Sequence, residues 1–243
     1  MTRYWCAVRT GRRAAAIAAL AIWAGSGALG QEGEEPRERF RWREATLQSS
    51  LFLAIQHAFR LLTEPDTRAQ LKGPFWRDYG RAVRGIRGWG DGDPFLVNYV
   101  GHPFEGAVAG YIQTHNDPDY RRAQFGASQA YWRSRLRAMG WAALHSTQFE
   151  LGPLSEASIG NVGLRPGTSG VCDLVTTPLA GVGVMIAEDA LDRYVVRVIE
   201  RRFANPFVRI VARGMLNPNR SFANLMRGKV PWHRDSRQGA FEP

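Results

Sequence analysis

From Glu44 onward apolar side chains recur at intervals of three and four, and no stretch keeps the two-residue alternation of a half-buried strand. Leu47, Leu51, Ile55, Ala58, Phe59 and Leu62 fall on one face and predict a helix over 44–62. Glu64-Pro65-Asp66 closes it, with Asp66 able to cap the next turn. Trp76, Tyr79, Val83 and Ile86 predict a second helix over 74–87, and Trp89 to Pro94 has the composition of a turn. A third helix is expected over 103–114. Pro103 suits its first turn, His102 sits near its N-cap, and Gly106 and Gly110 lie four apart on one side, where another backbone can approach. Tyr131, Leu136, Met139 and Leu144 predict a helix over 127–148. After a loop at Asn161–Gly170, a long helix is expected over 171–200, bent near Pro178 and Gly181-Val182-Gly183. The predicted fold class is all-α: an irregular multi-helix bundle forming one domain over 44–200, with short helices in a tail over 201–243.

The two ends differ from this core. Arg3, Arg9, Arg12 and Arg13 precede an uncharged apolar run, Ala14 to Ala24, and Ala28-Leu29-Gly30 supplies small residues for cleavage before Gln31. Residues 1–30 therefore read as an export signal, the run being shorter than the ~20 residues a spanning helix needs. Residues 31–43 are dense in Glu and Arg and read as a charged, solvated leader. The formal charge of +10 includes four arginines in the signal, so cleavage leaves +6. Residues 201–243 carry nine Lys/Arg against two acids, so the positive balance lies in the tail. Cys172 is the single cysteine past the signal, which excludes an intramolecular disulfide in the mature chain and suits a buried small apolar residue.

The tail interleaves its bases with aromatic side chains. Arg209, Arg213, Arg220, Arg227, Lys229, Trp232 and Arg234 are the residues expected to meet a polyanion. In an exported protein that polyanion is an anionic membrane surface or lipopolysaccharide, and no nucleic acid is expected as a partner.

A second constellation lies in apolar surroundings, where ionisable groups are costly unless paired or metal-bound. His102, Glu150, Glu156 and Asp173 are the candidate catalytic residues. His57, His102, Glu150 and Glu156 are the candidate ligands for a divalent metal, the one cofactor the sequence suggests. Asn98, Gly106, Gly110, Ser155, Asn161 and Thr177 are expected to form a packing and polar network around them. The spacing matches no zinc-protease, nucleophile-elbow or paired-cysteine pattern. Asp91-Gly92-Asp93 lacks the rest of a twelve-residue calcium loop and is read as a turn.

Three segments in order carry a resemblance: Asn98-Tyr99-Val100-Gly101-His102-Pro103-x-x-Gly106, then Phe149-Glu150-x-Gly152-Pro153-x-Ser155-Glu156-x-x-x-Gly160-Asn161, then Asp173-x-x-x-Thr177-Pro178-x-x-Gly181. Over residues 98–192 the chain resembles a family of bacterial envelope proteins with HPxxG, SExxxGN and DxxxTPxxG segments. The resemblance implies export and an envelope location and supplies no reaction. The expectation is an exported envelope protein, peripheral to the membrane, with a structural or lipid-related role. The alternative is a metal-dependent or acid/base hydrolase in which His102, Glu150, Glu156 and Asp173 converge.

Overall fold

Helix α4, His102–His115, is central to the packing, and every residue from Gly106 to His115 is buried. The computed structural model describes residues 38–63, 65–70, 74–159, 167–168 and 170–237. The expected signal, most of the leader, and Asn161 lie outside the described residues. The chain divides into two units, 1–37 and 38–243, and the described residues all belong to the second.

The described helices are α1 (Trp42–Thr63), α2 (Pro65–Gln70), α3 (Phe75–Gly85), α4, α5 (Gln129–Leu151), α6 (Cys172–Leu191), α7 (Arg197–Arg202), α8 (Pro206–Met215) and α9 (Pro218–Met226). Among the described residues there is no strand, so the all-α expectation holds. Predicted and observed ends agree to within about three residues, the usual fraying range, with the helix expected over 171–200 observed as α6, a π-helical turn at Asp192–Val196 and α7 in succession. Ser128 caps α5 by accepting from the Tyr131 N–H at 3.3 Å, and Asn205 caps α8 ahead of Pro206.

Two π-helical turns interrupt the regular geometry, at Val97–Gly101 and Asp192–Val196. The first has a local cause. Pro103 has no N–H to give the Tyr99 carbonyl, and the His102 N–H reaches back to Val97 O instead. The wider turn runs directly into α4.

α4 packs against α5, α6, α9 and α1. The apolar centre is Phe52, Ala107, Val108, Tyr111, Ile112, Ala138, Met185 and Ala223. The crossing of α4 and α6 is glycine-mediated. A Cβ on Gly106 would run into the Thr177 carbonyl, and one on Gly181 would lie 2.8 Å from the Gly106 backbone. Gly110 faces the Met185 thioether in the same way. Gly106 and Gly110 thus both lie at close approaches between α4 and α6.

The orientation of α1 is opposite to what burial of its apolar stripe would give. Its stripe of Leu47, Leu51, Ile55, Phe59 and Leu62 faces outward, with Leu62 80 % exposed, while Ala45, Phe52 and Gln56 face the core. The tail is corrected too, because it belongs to the core. Arg213 and Arg234 are buried and Arg220 is largely so, each ion-paired with an acid of the α6–α7 region. Arg227 pairs with Asp235 at 2.8 Å, and Arg209 donates to the Phe203 carbonyl at 3.0 Å. Trp232 is half-buried, so of the seven tail residues expected to meet a polyanion only Lys229 is exposed.

Candidate functional site

The first turns of α4 and α6 bring His102 and Asp173 together. His102 Nε2 lies 3.1 Å from Asp173 Oδ2, and its Nδ1 lies 3.2 Å from Glu105 Oε2, one turn further along α4. Burial alone would push the imidazole down. The carboxylates of Asp173 and Glu105 on its two nitrogens outweigh that and raise its pKa to about 11, so both ring nitrogens donate. Asp173 is itself held above the usual carboxylate range by burial, against the opposing pull of His102. Ser146 of α5 donates to the Asp173 backbone carbonyl at 3.1 Å and fixes the turn from a third helix.

Glu150, near the end of α5, joins the same neighbourhood. Burial and then the nearby Asp173 charge drive its carboxyl well above the ordinary range, with His102 acting the other way, so it is held neutral. Glu156 follows on a short turn built by Ser155 and Ser158. The Ser155 N–H donates to Ser158 Oγ at 2.8 Å, and the Ser158 N–H donates to Ser155 Oγ at 3.2 Å. The turn is fastened to α5 by Glu156 N–H to Phe149 O and Ala157 N–H to Glu150 O.

Glu156 belongs to a second limb. Arg60 Nη2 is 3.2 Å from Glu156 Oε2, His57 Nδ1 is 3.8 Å from Glu156 Oε1, and Arg60 also reaches Asp93 at 3.9 Å. His57 stacks on Phe149 and contacts the Leu154 carbonyl. Its pKa is lowered by burial and by Arg60, and the Leu154 carbonyl acts in the opposite direction. Glu156 is therefore ion-paired with Arg60, and His57 stands beside it at 3.8 Å. They do not stand with His102 as a ligand set.

The residues that sequence reasoning passed over are Asp91 and Asp93. The turn that carries them lies against the start of α6: Val171 N–H bonds Gly88 O at 3.2 Å and Cys172 N–H bonds Trp89 O at 3.1 Å. Only glycine fits at 170, because a Cβ there would enter the Trp89–Gly90 backbone. Asn98, in the π-helical turn, donates to Asp91 Oδ1 at 2.7 Å, and the Asp93 N–H donates to the same oxygen at 3.1 Å. Thr177 is buried on α6 beside Gly106, a packing position. The one signal for Asp91 and Asp93 was the Asp-Gly-Asp spacing, and Gly92 does adopt φ +91° there.

A second buried polar cluster lies at the other end of α4. Asp189 meets Arg135 at 3.1 Å, Tyr131 OH at 2.9 Å, Tyr111 OH at 3.2 Å, and Arg220. Asp192 pairs with Arg234 at 3.1 Å and Arg237 at 2.7 Å. Burial would raise its pKa, but Arg220, Arg234 and Arg237 bring it down to about 2. Glu188 receives the Asn219 and Arg220 N–H groups at the start of α9 at 2.9 and 3.2 Å, where a carboxylate meets the helix dipole. A cavity of about 30 Å³ beside this cluster is lined by Tyr111, His115, Arg121, Arg135, Arg220 and Arg234, room for a water-sized group.

The fold and the polar clusters define an all-α protein with charge at its centre. Comparison with protein-family models, with curated proteins and with solved structures returns no match to the chain.

Proposed function

We propose that this is an exported cell-envelope protein that lies on an anionic membrane surface, lipid or lipopolysaccharide, in a structural or lipid-related role. The supporting observation is the reversed distribution of its side chains. The outward stripe on α1 runs for about 22 Å at 1.5 Å per residue, and α8 presents a second one in Phe207, Val211 and Met215, with Phe207 71 % and Met215 75 % exposed. Phe203, Val198 and Tyr194 extend the α8 stripe back along the chain, and Arg201 and Arg202 beside them are exposed cations. Exposed apolar side chains with exposed arginines near them suit the headgroup boundary of an anionic bilayer. Docking in this reading belongs to the α7–α8 and α1 faces, since most tail arginines are occupied inside.

Co-sedimentation with vesicles tests it. The purified protein is expected to pellet with phosphatidylglycerol vesicles and far less with phosphatidylcholine. The pairs Phe207→Glu with Met215→Glu and Leu51→Glu with Phe59→Glu are each expected to reduce binding several-fold. Wild-type protein that stays in the supernatant, or variants that bind as it does, would sink the reading. Removing residues 201–243 is not a clean test, because it strips the partners from Asp189 and Asp192.

A second reading, a metal-dependent or acid/base hydrolase, is favoured by the meeting of His102, Glu105, Glu150 and Asp173. Its test is turnover of ester and phosphodiester substrates, with His102→Ala as the inactive control.

A further inference from the structure

We propose that Asp93, His102 and Asp173, supported by Asp91 on the same turn, bind one divalent transition-metal cation of the Zn2+ or Mn2+ class. Ligand atoms of Asp93, His102 and Asp173 lie within 4.8 Å of one another, and so do those of Asp91, Cys172 and Asp173. The two sets share Asp173. Ligands on one cation at about 2.0–2.3 Å from it stand within roughly that distance of each other.

The second, independent observation is a set of buried oxygens with no donor among the described residues. Asp173 is 5 % exposed and its Oδ1 has no hydrogen-bond partner there. Asp91 is 7 % exposed and its Oδ2 has none, and the same holds for Oδ1 of Asn98, whose amide already holds the other Asp91 oxygen. Buried carboxylate oxygens without a donor are costly, and a cation is the group that satisfies several at once.

The surroundings are built as a metal centre's are. His102 is gripped at Nδ1 by Glu105, the carboxylate–imidazole pairing that sets ring orientation in ligating histidines, with Nε2 turned toward Asp173. Glu105 is thus a positioning residue, and on binding the cation replaces the Nε2 proton that His102 otherwise gives to Asp173, releasing it to solvent. The Asp91 turn is clamped to α6 by the Val171 and Cys172 N–H bonds, so ligands 80 residues apart in sequence are held by backbone. An imidazole nitrogen among carboxylates, with a thiol alongside, selects a borderline first-row ion over Ca2+ or Mg2+.

The test is titration of the metal-stripped full-length protein with Zn2+ and with Mn2+, by calorimetry and by metal content after gel filtration. One equivalent per chain is expected, with a rise in melting temperature on addition, and at least tenfold weaker binding in Asp91→Asn and in Asp173→Asn. If Asp173→Asn does not fold, Asp91→Asn and His102→Ala decide. No saturable binding by the wild-type protein, or binding left unchanged in the folded variants, overturns the proposal. Neither result bears on vesicle binding, which fails or succeeds separately.

Discussion

The Gly106 backbone lies directly against the Thr177 carbonyl, so α4 and α6 meet there with no side chain between them. A methyl group at 106 has nowhere to go, since its obstacle is backbone. At 110 the obstacle is the flexible end of Met185, with Ala138 Cβ at 3.3 Å. Gly106→Ala is therefore expected to destabilise the fold by about 1–3 kcal/mol through overpacking. Gly110→Ala should fall within about 1 kcal/mol of wild type, because the gain in helix propensity offsets a smaller displacement. Urea denaturation of both variants checks the order, and equal losses would contradict the contact.

Asp192 gathers Arg234 and Arg237, and Arg234 is buried with it. Removing one partner of such a group leaves an uncompensated interior charge. Asp192→Ala is expected to cost about 3–5 kcal/mol, and Asp192→Asn nearly as much. A chemical-denaturation midpoint within about 0.5 kcal/mol of wild type, the scale of a neutral surface change, would show that the pairing carries no such weight.

Glu150 is held neutral by burial, its folded pKa well above its unfolded one. The unfolded chain then loses a proton above the ordinary glutamate pKa while the folded chain keeps its own, so stability declines as pH rises through that window. Glu150→Gln removes the decline. The variant is expected to be more stable than wild type at pH 8 and nearly equal to it at pH 4, in parallel thermal melts. A gain that shrinks as pH rises would reverse the assignment.

His145 stacks on Phe52 and contacts Gln56 Oε1 at 2.9 Å, and burial lowers its pKa to about 4. Below pH 6.5 the unfolded state takes up a proton that the folded state refuses until about pH 4, so stability is lost as pH falls across that interval. The loss is about 3 kcal/mol for a shift of this size. His145→Gln should show a correspondingly shallower acid slope between pH 6.5 and 4. Identical slopes would place the acid sensitivity elsewhere.

Helix content and its boundaries were legible because period and breakers act locally: Pro103 falls in the first turn of a helix, and the turn at Trp89–Pro94 lies between two. What each helix faces was not. The α1 stripe is plain in the sequence, yet spacing says only that five side chains share a side, and that side proved to be the outer one. His102, Glu150, Glu156 and Asp173 were recognisable as ionisable groups in apolar runs, and they do gather in one region. The partition among them depends on Arg60 and on Asp91 and Asp93, which are brought in by the Gly90–Gly170 backbone approach. No local pattern encodes that approach. Charge counting found the basic tail and misjudged its direction, because a sum of arginines does not reveal acids waiting on another helix.

Those acids have a consequence for timing. Asp189 and Asp192 leave the ribosome well before Arg220, Arg234 and Arg237, the cations that neutralise them. Until the later segment arrives, closing α6 onto α4 would bury negative charge that Arg135 alone of these partners can offset. Closing the interior before residues 220–237 are delivered is therefore costly. In a polypeptide exported as proposed above, which must be threaded through a membrane before it folds, late-arriving counter-charges act as a latch that keeps it threadable.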